Sequence, residues 1–154
     1  MGRLPLTKTR IIRAAVEHVD DVAPLFDAYR RFYTQTPDID GARVFLTERL
    51  ERDESVLFLA LTDETPAGFT QLYPVFSSVR MRHAWILNDL FVASDRRRLG
   101  VARLLMERAI DFGRETGART ISLQTAKDNT PARALYEALG FHLEVEFDEF
   151  VLTL

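Results

Sequence analysis

The chain contains no cysteine, which excludes disulfide frameworks, thiolate metal sites and a cysteine nucleophile. It also lacks a strong excess of charge. Its 20 lysines and arginines against 23 aspartates and glutamates leave -3 at neutral pH. A general nucleic-acid binder is usually strongly basic, so no nucleic-acid partner is expected. Long apolar runs are missing too. The longest, Val56–Leu61 (VLFLAL), is far too short to cross a bilayer, and no membrane partner is expected. The opening MGRLPLTKTRIIR has no apolar signal core, and Leu6 stands where myristoylation normally takes Ser or Thr. A cytoplasmic location is the expectation. The 3 histidines are scattered, so no metal site is expected. Internal repeats and low-complexity segments are also absent.

What remains is a chain of 154 residues, 47% hydrophobic, enough for one domain with its own core. A single domain over 1–154 is expected, with 1–8 as a flexible N-terminus. Thr9–Val16 reads as a strand. Val22, Leu25, Phe26, Tyr29 and Tyr33 recur at helical spacing after a capping Asp20 or Asp21, and Pro37 breaks the pattern. A second short helix covers Gly41–Asp53. Strands follow at Ser55–Asp63, Gly68–Phe76 (disturbed by Pro74) and Ala84–Ala93, with a turn over Asp63–Gly68. A helix runs from Gly100 to Glu115 and is closed by Gly117. Arg119–Ala126 is a further strand. The helix Asn129–Gly140 carries Pro131 early, and Phe141–Phe147 and Glu149–Leu154 read as final strands. The order β-α-α-β-β-β-α-β-α-β-β is that of an α/β domain and leaves the strand order of the sheet open.

Arg96, Arg97 and Arg98 precede the Gly100 helix. That end of a helix repels cations, because its unpaired N–H groups and macrodipole are positive there. The arrangement suits a bound anion, with backbone N–H groups aimed at a phosphate. Gly100 lets the backbone approach closely, and Ala102 adds almost no bulk. Arg97, Arg98 and Arg103 supply charge-assisted hydrogen bonds. The competing reading is a solvated basic turn paired with Asp95 or Glu107. The stretch is neither a Walker loop nor a three-glycine dinucleotide fingerprint. Tyr136 follows Asn129 by seven residues, two helical turns, so the two share a side. Packing for Tyr136 and capping for Asn129 are the plain alternatives. Asp89 is the carboxylate nearest the middle of its strand, beside Asn88. His83 is a weaker candidate base.

The stretch Leu87–Ala109 (LNDLFVASDRRRLGVARLLMERA) resembles motif A of the GCN5-related N-acetyltransferase (GNAT) superfamily. Arg97, Gly100 and Ala102 meet its Arg/Gln-x-x-Gly-x-Gly/Ala signature. Asn129–Phe141 (NTPARALYEALGF) resembles the second motif, through Asn129, Ala132, Tyr136, Gly140 and Phe141. The resemblance implies the acyl-CoA N-acyltransferase fold, a mixed sheet of about seven strands flanked by about four helices. It implies acetyl-CoA as cosubstrate, bound in a V-shaped gap between the fourth and fifth strands. The pyrophosphate would then lie on the turn Arg97, Arg98, Leu99, Gly100, Val101, Ala102 and Arg103, and the pantetheine arm along Phe91 and Val92. Asn129 would hold that arm, and a strand bulge would leave an amide free to polarise the thioester.

Tyr136 would be the general acid for the departing thiolate, a role its phenol can fill because it stays protonated at neutral pH. Asp89 would be the base, and Asn88 would order a water. Transfer would be direct, without an acyl-enzyme, to a primary amine of a small molecule, either a polyamine or an amino-acid-like compound. Gly68–Val92 is similar to the spermidine/spermine branch. That branch has Glu-Asp where this chain has Asn88–Asp89, which removes a candidate base and a negative charge. Acceptor selection would draw on Tyr33, Tyr73 and Trp85, with Tyr29, Phe32 and Phe76 nearby in sequence; core packing competes at each. Acetylation of a protein lysine or N-terminus, an acyl-CoA sensor without chemistry, and a nucleotide module remain as alternatives. A homodimer is compatible with the family.

Overall fold

A computed structural model describes residues 7–154. Contacts divide the chain into two compact units, Met1–Leu123 and Gln124–Leu154. The expected flexible N-terminus lies mostly outside the described residues. Within them Lys8 is tied down: its N–H donates to Asp63 Oδ1 at 3.2 Å, and its carbonyl accepts from Asp63 N at 2.9 Å.

The first unit is a five-stranded sheet in the order β1-β2-β3-β4-β5. Its strands are β1 Thr9–Arg13, β2 Val56–Thr62, β3 Thr65–Ser77, β4 Arg82–Val92 and β5 Ile121–Ser122. The first four are antiparallel in sequence, and β5 joins β4 in parallel. Helices α1 Val19–Phe32, α2 Ile39–Glu51 and α3 Val101–Glu115 cover it. β2 is buried at every position, as its unbroken apolar run requires of a strand covered on both sides. Leu57, Leu59 and Leu61 pack with Val22, Leu25 and Phe26 of α1 and Leu46 of α2. On the opposite face Phe58 meets Phe112 of α3 at 5.6 Å between ring centroids.

Two local features depart from the sequence reading. The expected turn Asp63–Gly68 shrinks to Asp63 and Glu64, which both take left-handed backbone (φ 48 and 64), as a two-residue hairpin turn needs. Pro74 does not end β3: it lies opposite Trp85, and the strand continues to Ser77. The Trp85 N–H donates to Thr120 O at 3.0 Å, so Pro74 and Trp85 face each other without hydrogen bonds. The missing donor of Pro74 therefore points to the side where β2 has already ended, opposite Leu72.

The second unit contains α4, Thr130–Ala138. The expected strand Arg119–Ala126 contracts to Ile121–Ser122, and no strand forms over Phe141–Phe147 or Glu149–Leu154 among the described residues. The sheet thus has five strands, not seven. Alternating apolar residues mark a segment that can be a strand, but a ladder also needs a partner edge, and alternation carries no information about that.

Candidate active site

The pairing of β3 with β4 slips by one residue. Gln71 opposes Asp89 but Leu72 opposes Leu87, so Asn88 is the extra residue of a β-bulge. The slip changes which side chains share a face. Asp89 lies with Gln71, Phe69 and Phe91 on the α1 face, whereas Leu87 falls with Leu72 on the other. The Asn88 carboxamide turns back onto its neighbour, donating from Nδ2 to Asp89 Oδ1 at 3.0 Å.

Asp89 retains only 5% of its surface. Its other oxygen, Oδ2, accepts from Gln71 Nε2 at 2.8 Å. The Tyr29 hydroxyl donates to the Asn88 carbonyl at 3.5 Å and lies close enough to lower the proton affinity of the carboxylate. Thr70 Oγ1 donates to the Asp89 main-chain oxygen at 2.8 Å. Burial pushes the Asp89 carboxyl above the usual range, and the hydrogen bonds from Gln71, Asn88 and Tyr29 offset part of that rise. A buried carboxylate held by neutral donors is a stronger base than a solvated one.

Two tyrosines share its surroundings. Burial, reinforced by the field of Asp89, raises the Tyr29 hydroxyl well above its ordinary value. The same causes in the same order push Tyr73 up to about 12, against a smaller opposing effect of Arg49. Gln71, fully buried, also donates from Nε2 to Tyr73 Oη at 3.1 Å. Its Oε1 is buried with no hydrogen-bond partner among the described residues.

Further along β4, β5 pairs only with Trp85 and Ile86. The β5-side edge of Leu87–Val92 therefore has no strand partner among the described residues, the kind of edge with which an extended ligand can pair. Then comes the basic turn. Arg98 and Gly100 both have left-handed backbone (φ 64 and 77), and α3 starts at Val101. A Cβ on Gly100 would meet nothing within 4 Å, so the backbone angle, not crowding within the chain, calls for glycine. The helix has no side-chain cap and no acidic residue in its first turn, so its own cap and first turn offer no carboxylate to its leading N–H groups.

The arginines of this turn divide. Arg97 Nε donates to Val92 O at 3.1 Å, with the guanidinium 5.8 Å from the Phe91 ring centre. Arg103 pairs with Glu107 at 2.9 Å, and Arg96 lies 3.9 Å from Asp95. Arg98 enters no ion pair among the described residues. The turn therefore fits a phosphate through its amides and Arg98, while Arg103 adopts the solvated pairing with Glu107.

Asn129 and Tyr136 belong to the second unit. Asn129 caps α4, its Oδ1 accepting from Ala132 N at 3.3 Å. The Tyr136 ring lies 6.2 Å from that of Phe141, whose N–H donates to Tyr136 O at 3.0 Å. Of the acceptor-site residues expected from sequence, Tyr73 joins the Asp89 group. Tyr33 stacks edge-on against Tyr29 at 5.1 Å, at the exposed end of α1. Trp85 does not come near Asp89. It faces α3, with Nε1 donating to Thr116 Oγ1 at 3.0 Å and its ring 5.1 Å from Phe112. His83 lies against Trp85 at 6.1 Å, away from the bulge. Gln71 was not legible as a site residue. Its only signal is an amide inside the strand run GFTQLY, where a buried polar group must find partners. Among the described residues no group of three or more His, Cys, Asp or Glu side chains is placed to hold a metal ion, and no helix is long and apolar enough to cross a membrane.

Residues 22–141 match the model of the acetyltransferase (GNAT) family. The chain belongs to that family. It is 45% identical over 132 residues to an uncharacterised N-acetyltransferase, YhfO, of Bacillus subtilis (strain 168), covering 86% of this chain and 89% of that one. The crystal structure of a probable acetyltransferase superposes with a TM-score of 0.89 at 44% identity, over 94% of this chain and 97% of the other. The fold alone is shared, at 23% identity and a TM-score of 0.78, with the aminoglycoside N-acetyltransferase AAC(6')-Iy in complex with CoA, over 98% of this chain and 99% of that one. GNAT membership makes this protein an N-acetyltransferase, and acetyl-CoA is the cosubstrate such enzymes use.

Proposed function

We propose that the protein transfers an acetyl group from acetyl-CoA directly to a primary amine of a small molecule, with residues 1–154 acting as one catalytic domain. The observation that carries this reading is the β4 bulge. It places a buried carboxylate with raised proton affinity on the strand that leads, through an unpaired edge, into an uncapped basic helix start. From Asn88 to Val92 the strand spans about 13 Å at ~3.3 Å per residue, room for an extended arm between an anion site and a reacting centre.

Acetyl-CoA supplies the acetyl group and departs as the free thiol. The amides of Arg98–Ala102 and the Arg98 guanidinium take the pyrophosphate, and the open edge of Phe91 and Val92 aligns the arm. Asp89 removes the proton of the attacking ammonium, and Asn88 keeps the carboxylate oriented. Tyr136, protonated at neutral pH, gives its hydroxyl proton to the leaving sulfur, and Asn129 holds the arm near the start of α4. The CoA-bound relative of the same fold supports the choice of cosubstrate. The single carboxylate at the bulge supports a cationic amine.

The test is thiol release from acetyl-CoA over a panel of small amines, followed together with loss of the acceptor. The expected result is one thiol released per acceptor acetylated, and no acetyl group on the protein when amine is withheld. Tight acetyl-CoA binding with no thiol release on any amine would support an acyl-CoA sensor; binding of ATP in preference to acetyl-CoA would support a nucleotide module.

A further inference from the structure

Gln71 fixes the direction of a hydrogen-bond chain in this site. An ionised carboxylate only accepts, so the amide atom of Gln71 facing Asp89 Oδ2 at 2.8 Å is Nε2. The same Nε2 lies 3.1 Å from Tyr73 Oη. An NH2 group has two hydrogens, one for each contact, so the Tyr73 oxygen is an acceptor here. Its own hydrogen must point elsewhere. Among the described residues the Tyr73 hydroxyl makes this one hydrogen bond, the one it accepts. Tyr73 is half-buried on the same face of the sheet as Asp89, whose charge acts on the hydroxyl more strongly than the opposing Arg49 guanidinium. An O–H with no acceptor of its own welcomes an oxygen lone pair, and a second ammonium group, which carries donors only, cannot supply one.

Resting on the reading of Asp89 as the base for an amine, we propose that Tyr73 selects acceptors that carry an oxygen, donating its hydroxyl hydrogen to a hydroxyl, ether, carbonyl or carboxylate oxygen on the same molecule as the reacting amine. The substrate class is then an amino alcohol, amino sugar or amino acid, and plain alkyl polyamines are poor acceptors. Gln71 is the positioning residue, because its amide aims both the carboxylate and the phenol.

The probes are amino alcohols with two to five carbons between nitrogen and oxygen, each set against the alkylamine and the diamine of equal length. Binding to the protein saturated with CoA is measured by calorimetry, for the parent chain and for Tyr73→Phe, and turnover with acetyl-CoA is measured separately. The expected result is at least one amino alcohol bound about tenfold more tightly than its alkyl match. Tyr73→Phe should bring that pair to within about threefold of each other, with CoA affinity kept. The proposal is overturned if alkylamines or diamines bind as tightly as every oxygen-bearing match, if no amine binds at all, or if the preference survives in Tyr73→Phe. Loss of the acetyltransferase reading would look different: an oxygen-dependent, Tyr73-dependent binding preference with no thiol release.

Discussion

Asp89 is held by two amide donors, Gln71 and Asn88, and shielded from water, and each of those donors restricts where its lone pairs can reach. Asn88 and Asp89 stood out in the sequence because they were the polar pair in an apolar strand. Gln71 did not, because a lone amide in a strand gives no sign of which residue it faces. Trp85 looked like a pocket aromatic, yet it anchors α3 through Thr116 and Phe112. An aromatic in a strand can face either side, and the bulge three residues further on hides the register. Tyr136 lends itself to a test at this scale. Replacing it by Phe keeps the ring against Phe141 and removes the proposed acid. The expected outcome is a fall in kcat of about 10²–10⁴-fold with acetyl-CoA affinity kept, the pattern of an interaction made mainly in the transition state. Steady-state kinetics with calorimetry check it, and a kcat within about threefold of the parent would remove Tyr136 from the mechanism.

The strand β4 and the start of α3 work as one unit: a bulge, an open edge and an uncapped helix. Helices α1, α3 and α4 were legible from apolar spacing and from their flanking Gly and Pro residues, and β2 from its apolar run. The bulge was implied only by family likeness, because an extra residue leaves no mark in a sequence until the partner strand is known. Two substitutions probe this scale. A Cβ at Gly68 would stand 2.6 Å from Phe91 O and 3.3 Å from Val92 Cα, backbone atoms that cannot swing aside. Gly68→Ala should therefore destabilise the protein by about 1–3 kcal/mol, read from urea unfolding. Gly100→Asp meets open space but must take the left-handed angle of Gly100 (φ 77), a cost of about 1 kcal/mol that aspartate tolerates better than most residues; the chain should still fold, with a carboxylate where the pyrophosphate is proposed to lie. Its acetyl-CoA affinity should fall at least about tenfold, ~1.4 kcal/mol; unchanged affinity would move the anion site elsewhere.

At the scale of the molecule, the order of the elements pointed to an α/β chain, composition to a substantial core, and the two motifs to the GNAT family. The strand order was out of reach, because periodicity describes one strand at a time and pairing joins residues as far apart as Thr9 and Thr62. The account as a whole depends on the buried carboxylate acting as a base. A base works when deprotonated, and burial raises the proton affinity of Asp89, so activity should rise with pH along a limb lying above the ordinary carboxylate range. The decisive measurement is the pH dependence of kcat/KM for one good acceptor, in the parent and in Asp89→Asn, with acetyl-CoA affinity measured alongside. The account predicts that Asp89→Asn lowers kcat/KM by about 10²-fold or more, abolishes that limb and leaves acetyl-CoA binding unchanged; a variant with the same limb and near-parental activity would contradict it.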